Sequence, residues 1–275
     1  MTRATLRPVD SCELAAELPA HVPGLLRYAS TLTADHALAE DLVQETVSRA
    51  LERAGGFRGD ASVSTWLHRI LHNLAVDHFR RSREDPVADV TEIAEQLWRE
   101  DTYTVDNDAV VARAEQRDDL FDALSHLPMI FRSVVVFHNA EEMTVREIAD
   151  IQQVGLAAAK QRLRRGRIML VSQLAAGADG PTSLPGVPLR CWEARRHISD
   201  YLDDDLAPAS RRRVELHLHG CPTCPPLYAA LVGTTRALKS TGRDPDAVIP
   251  TALAERLTRA RASAEESRVD AYGAE

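Results

Sequence analysis

The chain has 275 residues, 44% of them apolar and 27% charged, which allows one large domain or two to three small ones with real cores. Aromatic residues make up only 5%, and the abundance of Ala, Leu and Arg favours helix, so the expected class is all-α. The formal net charge of −8 argues against nucleic-acid binding only as an average, because residues 160–167 hold five basic side chains and no acid, while residues 83–112 hold nine acids and two arginines.

No apolar run approaches the roughly 20 residues of a membrane span, and the N-terminus lacks a signal-peptide core, so no membrane partner is expected and the location is read as cytoplasmic. Residues 1–24 contain three prolines and few periodic apolar positions and read as a flexible leader. Residues 25–81 read as helices. Leu38, Leu42, Val43, Val47, Ala50 and Leu51 recur at helical spacing, opposite Asp41, Gln44, Glu45 and Ser48. Phe57-Arg58-Gly59-Asp60 breaks the pattern, and a second helix starts near Ser64, taken as its N-cap. Trp66, Leu67, Ile70, Leu71, Leu74 and Phe79 form that helix's apolar stripe, with Arg69, Asn73, Asp77 and Arg80 on other faces.

Residues 82–117 read as an acidic linker with some helix. Residues 118–175 return to helical patterning. Leu127-Pro128 closes one helix, Phe131, Val134, Val135 and Phe137 mark the next, and Thr144 to Glu147 has capping-box spacing. Val154-Gly155 supplies a tight turn before a helix from about Leu156, which makes a helix-turn-helix. In that last helix Leu156, Ala159 and Leu163 are expected to face the core. Lys160, Gln161, Arg164 and Arg165 then share the outer face, where long donors suit phosphates and base edges. A solvated basic helix is the alternative.

Residues 176–189 form a Gly- and Pro-rich linker. Residues 190–240 read as a small helical unit carrying Cys191, His217, Cys221 and Cys224. His217 and Cys221 are four apart and share one side of a helix, and Cys221-Pro-Thr-Cys224 is a CxxC knuckle. With Cys191 these make a Cys₃His set suited to a closed tetrahedral Zn²⁺ site, structural or redox-regulatory. His219 should point elsewhere, His197 has no spacing argument, and Cys12 is an isolated thiol. Residues 241–275 form a polar tail with one short helix near 250–262.

Two blocks carry a family resemblance. Ala39–Arg81 resembles region 2 of extracytoplasmic-function sigma factors, and Ala123–Arg167, with LSHLP, MTVREIADI and AAAKQRLRRGR, resembles their region 4. The segment around 190–230 is similar to zinc-binding anti-sigma proteins. The resemblance implies two small helical domains joined by a flexible linker, plus a small helical zinc-binding domain. It implies a non-enzymatic subunit that binds core RNA polymerase, recognises promoter DNA at −10 and −35 elements and initiates transcription. Asp41, Leu42, Val43, Gln44 and Glu45 would dock on the β′ clamp helices. Phe57, Arg58, Arg69, Asn73 and Arg80 would serve the −10 element, and Lys160, Gln161, Arg164 and Arg165 the −35 element. Trp66 is read as core rather than a stacking platform. The acidic linker either mimics RNA charge in the polymerase exit path or is a solubilising tether. Regulation would come from the chain's own C-terminal domain or a separate anti-sigma factor, and the fused domain could inhibit or activate. A simple helix-turn-helix repressor would have no use for the Asp41–Glu45 face. A zinc hydrolase is disfavoured, since there is no HExxH, GxSxG or Walker-type loop.

Overall fold

Capping and periodicity account for where the helices begin. The computed structural model describes residues 11–33, 35–54, 57, 59, 61–82, 89–100, 103–175, 191–242, 253–259 and 262, and no strand occurs among them. Thirteen named helices run in order: α1 (Ser11–Leu32), α2 (His36–Glu52), α3 (Val63–Ser82), α4 (Asp89–Arg99), α5 (Asn107–Glu115), α6 (Arg117–Ser125), α7 (Met129–Asn139), α8 (Val145–Ile151), α9 (Leu156–Ala175), α10 (Cys191–Arg196), α11 (Ile198–Leu202), α12 (Pro208–Gly220) and α13 (Cys224–Gly242). Residues 253–259 add a further helical segment. No described helix is long and apolar enough to cross a membrane. The chain divides into two compact units, one from the described parts of 1–84, 146–154 and 244–275, the other from those of 85–145 and 155–243.

In the first unit, Asp35 caps α2 by accepting from the backbone N–H of Ala37 and Leu38 at 2.9 and 3.3 Å. Ser62 does the same for α3, accepting from Thr65 N at 3.1 Å. The cap is therefore Ser62, two residues before the expected Ser64. The expected leader is also corrected, for residues 11–24 belong to α1. Leu18, Val22, Leu25 and Ala29 form a buried stripe at helical spacing, packed with α2 and α3, and this outweighs Pro19 and Pro23 within the helix. Residues 1–10 lie outside the described residues.

His68 and His72 of α3 are buried in this core, where the hydroxyl of Tyr28 and Nδ1 of His72 are 3.0 Å apart. Burial holds His68 in its neutral form and lowers its pKa to about 4; the hydrogen bond to the Ser64 carbonyl opposes this, and the charges of His21 and Arg27 add to it. A depressed histidine leaves stability intact above pH 6.5. The unfolded chain gains protons first as pH falls, so stability declines between about 6.5 and 4, by roughly 3 kcal/mol for this shift. Urea unfolding of the first unit across that window should show the decline, and His68→Gln should flatten it.

In the second unit the segment expected as an acidic linker is largely structured. Trp98 of α4 is fully buried and donates Nε1–H to Ser172 Oγ of α9 at 3.1 Å. The zinc-binding segment packs on the same core. A Cβ on Gly233 of α13 would lie 2.4 Å from Val111 Cγ2 of α5, so any side chain there would have to displace the Val111 methyl. A Cβ on Gly166 of α9 would meet Val135 Cγ2 at 2.5 Å and the Phe131 carbonyl oxygen at 2.9 Å. Alanine gains up to about 1 kcal/mol of helix propensity, but a backbone oxygen cannot swing aside, so Gly166→Ala should lose about 1–3 kcal/mol net in a denaturant titration. Residues 176–189, expected as a second linker, lie outside the described residues.

Candidate nucleic-acid interface and metal centre

The turn that closes α8 is built as the sequence suggests, with one change. Val154 N–H donates to the Ala149 carbonyl at 3.0 Å, and Gln153 takes the left-handed conformation at φ 53°. That is the Schellman closure of α8, with Gln153 in the position usually given to glycine. Gly155 follows it and leads into α9. Leu156, expected in the core, is 42% exposed, whereas Ala159 and Leu163 are buried.

The outer face of α9 is not free. Arg165 Nε donates to Glu95 Oε1 at 2.6 Å, and Arg164 Nη2 approaches the same oxygen at 3.4 Å. Lys160 Nζ pairs with Asp205. Gln161 is exposed. Arg167 is buried and grips Asp203 with both terminal nitrogens, at 2.7 and 2.9 Å, while also donating to Ser199 Oγ and Asn139 Oδ1. Asp203 and Asp205 sit in the turn after α11, where Asp204 adopts φ 59° and Asp205 N–H donates to the Asp200 carbonyl. The Asp203-Asp204-Asp205 run thus turns the chain and presents carboxylates to α9. Burial raises the Asp203 pKa, but hydrogen bonds from His138 and Arg167 win and hold it at about 2.

In the first unit, Arg49, Arg53, Trp66, Arg69, Ile70 and Asn73 line a groove of about 420 Å³. It gathers Arg69 and Asn73 from the expected set and adds Arg49 and Arg53. Their spacing of four along α2 was the signal available in the sequence. Phe57 is buried with its ring 5.0 Å from that of Trp66, a lining residue of the groove. Trp66 is buried as read. Arg80 is exposed and paired with Asp77 at 2.9 Å. Arg58 lies outside the described residues.

Along α2, Asp41 and Glu45 are exposed and Gln44 is half-buried, whereas Leu42 and Val43 face the core. The latter two lie in the buried stripe that their spacing implies, which leaves Asp41, Gln44 and Glu45 as the accessible members of the docking set. Arg256, in the 253–259 helix, pairs with Asp41 and lies 3.8 Å from Glu40, with Leu253 fully buried beside it.

The four spacing-predicted metal ligands converge. Cys191 Sγ, a ring nitrogen of His217, Cys221 Sγ and Cys224 Sγ lie within 4.8 Å of one another, all buried but Cys191. Cys191 and Cys221 sulfurs are 3.6 Å apart, and His217 Nε2 is 3.2 Å from Cys224 Sγ. A tetrahedral ion with Zn–S bonds of about 2.3 Å separates its sulfur ligands by roughly 3.7 Å, so the donor set fits zinc. Burial pushes the Cys224 thiol up to about 12, with Arg195 pulling the other way. Cys221 also feels burial, but hydrogen bonds from Thr223 and the Cys224 backbone leave it lowered. His219 is exposed and His197 is not part of the cluster. Sequence spacing missed Arg195, which is fully buried and donates Nε–H to Cys224 Sγ at 3.3 Å.

Comparison with known proteins agrees with this geometry. The sigma-70 region 2 model matches residues 19–84, the sigma-70 region 4 model residues 117–170, and a zinc-finger family model residues 191–224. These matches define a two-region sigma factor with a zinc-finger domain behind it. The ECF RNA polymerase sigma factor SigW of Bacillus subtilis (strain 168) is 33% identical over 142 residues, covering 50% of this chain and 75% of that protein. SigM of Mycobacterium tuberculosis (strain H37Rv) is 35% identical over 139 residues, covering 50% of this chain and 64% of its own. SigG of the same strain is 31% identical over 210 residues, covering 70% of this chain and 55% of its own. The chain belongs to the ECF RNA polymerase sigma factors, transcription regulators that recognise promoters and initiate transcription, and it carries a C-terminal zinc-finger domain.

Proposed function

We propose that this sigma factor docks on the β′ clamp helices of core RNA polymerase through Asp41, Gln44 and Glu45. Arg69 and Asn73, with Arg49 and Arg53 beside them, hold the −10 strand, and Lys160, Gln161, Arg164 and Arg165 read the −35 duplex. The zinc domain represses this activity in cis. The observation that carries the repressive sign is the pairing of Lys160 with Asp205 and of Arg167 with Asp203, which places zinc-domain carboxylates on the helix that would meet DNA. A domain needed for promoter binding would leave Lys160 open. Tethering of the zinc domain in the same chain gives it a millimolar-scale effective concentration, enough for weak contacts to dominate.

The test is reconstitution with core polymerase on a promoter library, for the full chain and for a chain ending at residue 189. The truncated chain should transcribe more strongly, by about ten-fold or more, and Asp41→Ala with Gln44→Ala should weaken core association. Equal output from both chains would overturn repression in cis. Promoter protection by the isolated chain as strong as by the holoenzyme would overturn polymerase dependence. Redox control follows from the same site. Hydrogen peroxide would take two electrons from the Cys191 and Cys221 thiolates and two protons from solvent, leaving as two waters while the sulfurs form a disulfide, so that two of the four donors could no longer hold an ion. Zinc release on mild peroxide, absent in Cys221→Ser, checks it.

A further inference from the structure

Arg165 and Arg164 share Glu95 Oε1, at 2.6 and 3.4 Å, and Arg99 lies 4.0 Å from its other oxygen. One carboxylate, only 9% exposed, therefore faces three guanidinium groups. The Trp192 ring underlies two of them, with Arg99 and Arg164 carbons at 5.2 and 5.6 Å from its centroid. Three guanidiniums around one anion, backed by an aromatic plane, is the arrangement that suits a phosphate. Here the anion comes from α4, a helix of the inter-region linker.

A second set of contacts fixes α4 in place. Its C-terminal end is held by Arg195, which donates Nη1–H to the carbonyls of Trp98 at 3.0 Å and Glu100 at 2.7 Å, and Nη2–H to that of Tyr103 at 2.7 Å. The same guanidinium donates to Thr223 Oγ1 at 3.2 Å and to Cys224 Sγ at 3.3 Å. Thr104 Oγ1 donates to the Thr223 carbonyl at 3.1 Å. A fully buried guanidinium is tolerated only when its donors are met, and here most of its partners are linker carbonyls and the CxxC knuckle. The Trp98 carbonyl in the last turn of α4 is thus met by a residue in contact with a metal ligand, and the Glu100 carbonyl beyond it accepts from both that residue and the Tyr103 N–H, at 3.1 Å.

We infer that α4 is a built-in mask of the −35-reading helix, with Glu95 standing where a DNA phosphate would lie and Arg195 latching the mask to the zinc knuckle. The inference rests on the reading of Arg164 and Arg165 as DNA contacts and adds a second covering element to the Asp203–Asp205 turn. Loss of the knuckle frees Arg195, the end of α4 loosens, and the two arginines open to duplex DNA.

The test uses the full, zinc-loaded chain and a short fluorescent duplex of mixed sequence, titrated over a salt series. Glu95→Ala should tighten binding about ten-fold at low salt and steepen the salt dependence by about two phosphate contacts. Asp118→Asn, an exposed acid of α6, controls for net charge alone, and Glu95→Gln, which keeps the side-chain volume, decides if the alanine variant misfolds. Adding Arg164→Ala and Arg165→Ala to Glu95→Ala should abolish the gain. No gain from either Glu95 variant, with the arginine pair still weakening binding in the parent chain, overturns the mask and leaves the DNA reading standing. A gain that persists without the arginines overturns the DNA reading itself. For the latch, amide exchange over residues 94–100 should quicken at least ten-fold in Arg195→Met that retains its zinc, or in Arg195→Lys if it does not; unchanged exchange overturns the latch.

Discussion

Stripping zinc from the full chain with a strong chelator is expected to unfold α10 to α12 and the start of α13, with a clear loss of helical signal by circular dichroism. The unit around the site has few large apolar side chains of its own. Ala194, Ile198, Val214 and Leu227 are buried, but so are His217, Cys221 and Cys224, whose donor atoms converge on the site. Structural zinc contributes about 10–16 kcal/mol of apparent binding free energy in small domains at neutral pH, more than most domains have in total stability. Metal analysis should find one zinc per chain, lost in Cys224→Ala and in His217→Ala. The rest of the second unit should survive in part, because α5, α7 and α9 also pack on one another and α13 beyond its first turn packs on α5. A chain purified without zinc, or one whose helix content ignores the chelator, would sink the claim.

Arg167→Met should be the most damaging single change away from the metal, at about 3–5 kcal/mol. Its guanidinium is 3% exposed and satisfies Asp203, Ser199 and Asn139 together. Removing it leaves the half-buried Asp203 with the His138 ring, at 3.2 Å, to meet its charge. Asp203→Leu added to Arg167→Met should restore much of the loss, because an apolar pair of similar volume needs no desolvated charge. Equilibrium urea unfolding of the four members of this double-mutant cycle would measure the coupling, and a coupling near zero would refute it. The pH dependence has a definite sign. The folded-state pKa of Asp203 is depressed to about 2, so its contribution is complete above about pH 4 and disappears as pH falls from there towards 2.

These expectations rest on residues that the sequence revealed unequally. Cys191, His217, Cys221 and Cys224 were legible because zinc ligation imposes local spacings, a four-residue helical step and a CxxC knuckle, that survive any tertiary arrangement. The same holds for the basic run of α9, the apolar stripes of α2 and α3, and the all-α class, since each depends on a 3.6-residue period. The prolines hid α1, and the acidic composition of residues 82–117 hid the amphipathic packing of α4 on α9. Charge counting weighs composition, whereas Trp98 settles the matter by burial.

The sequence alone determined which chemistry the chain carries: a region 2 stripe, a cationic second helix in a helix-turn-helix, and a zinc ligand set. Only the tertiary structure decided how those cations are used in the free chain. Arg164 and Arg165 meet a carboxylate about seventy positions earlier in the chain, and Arg167 meets one thirty-six positions later. It also turned Phe57 inward and left Leu156 exposed. Such pairings have no local period, because they are selected by which helices can pack together and by the requirement that every buried charge find its partner.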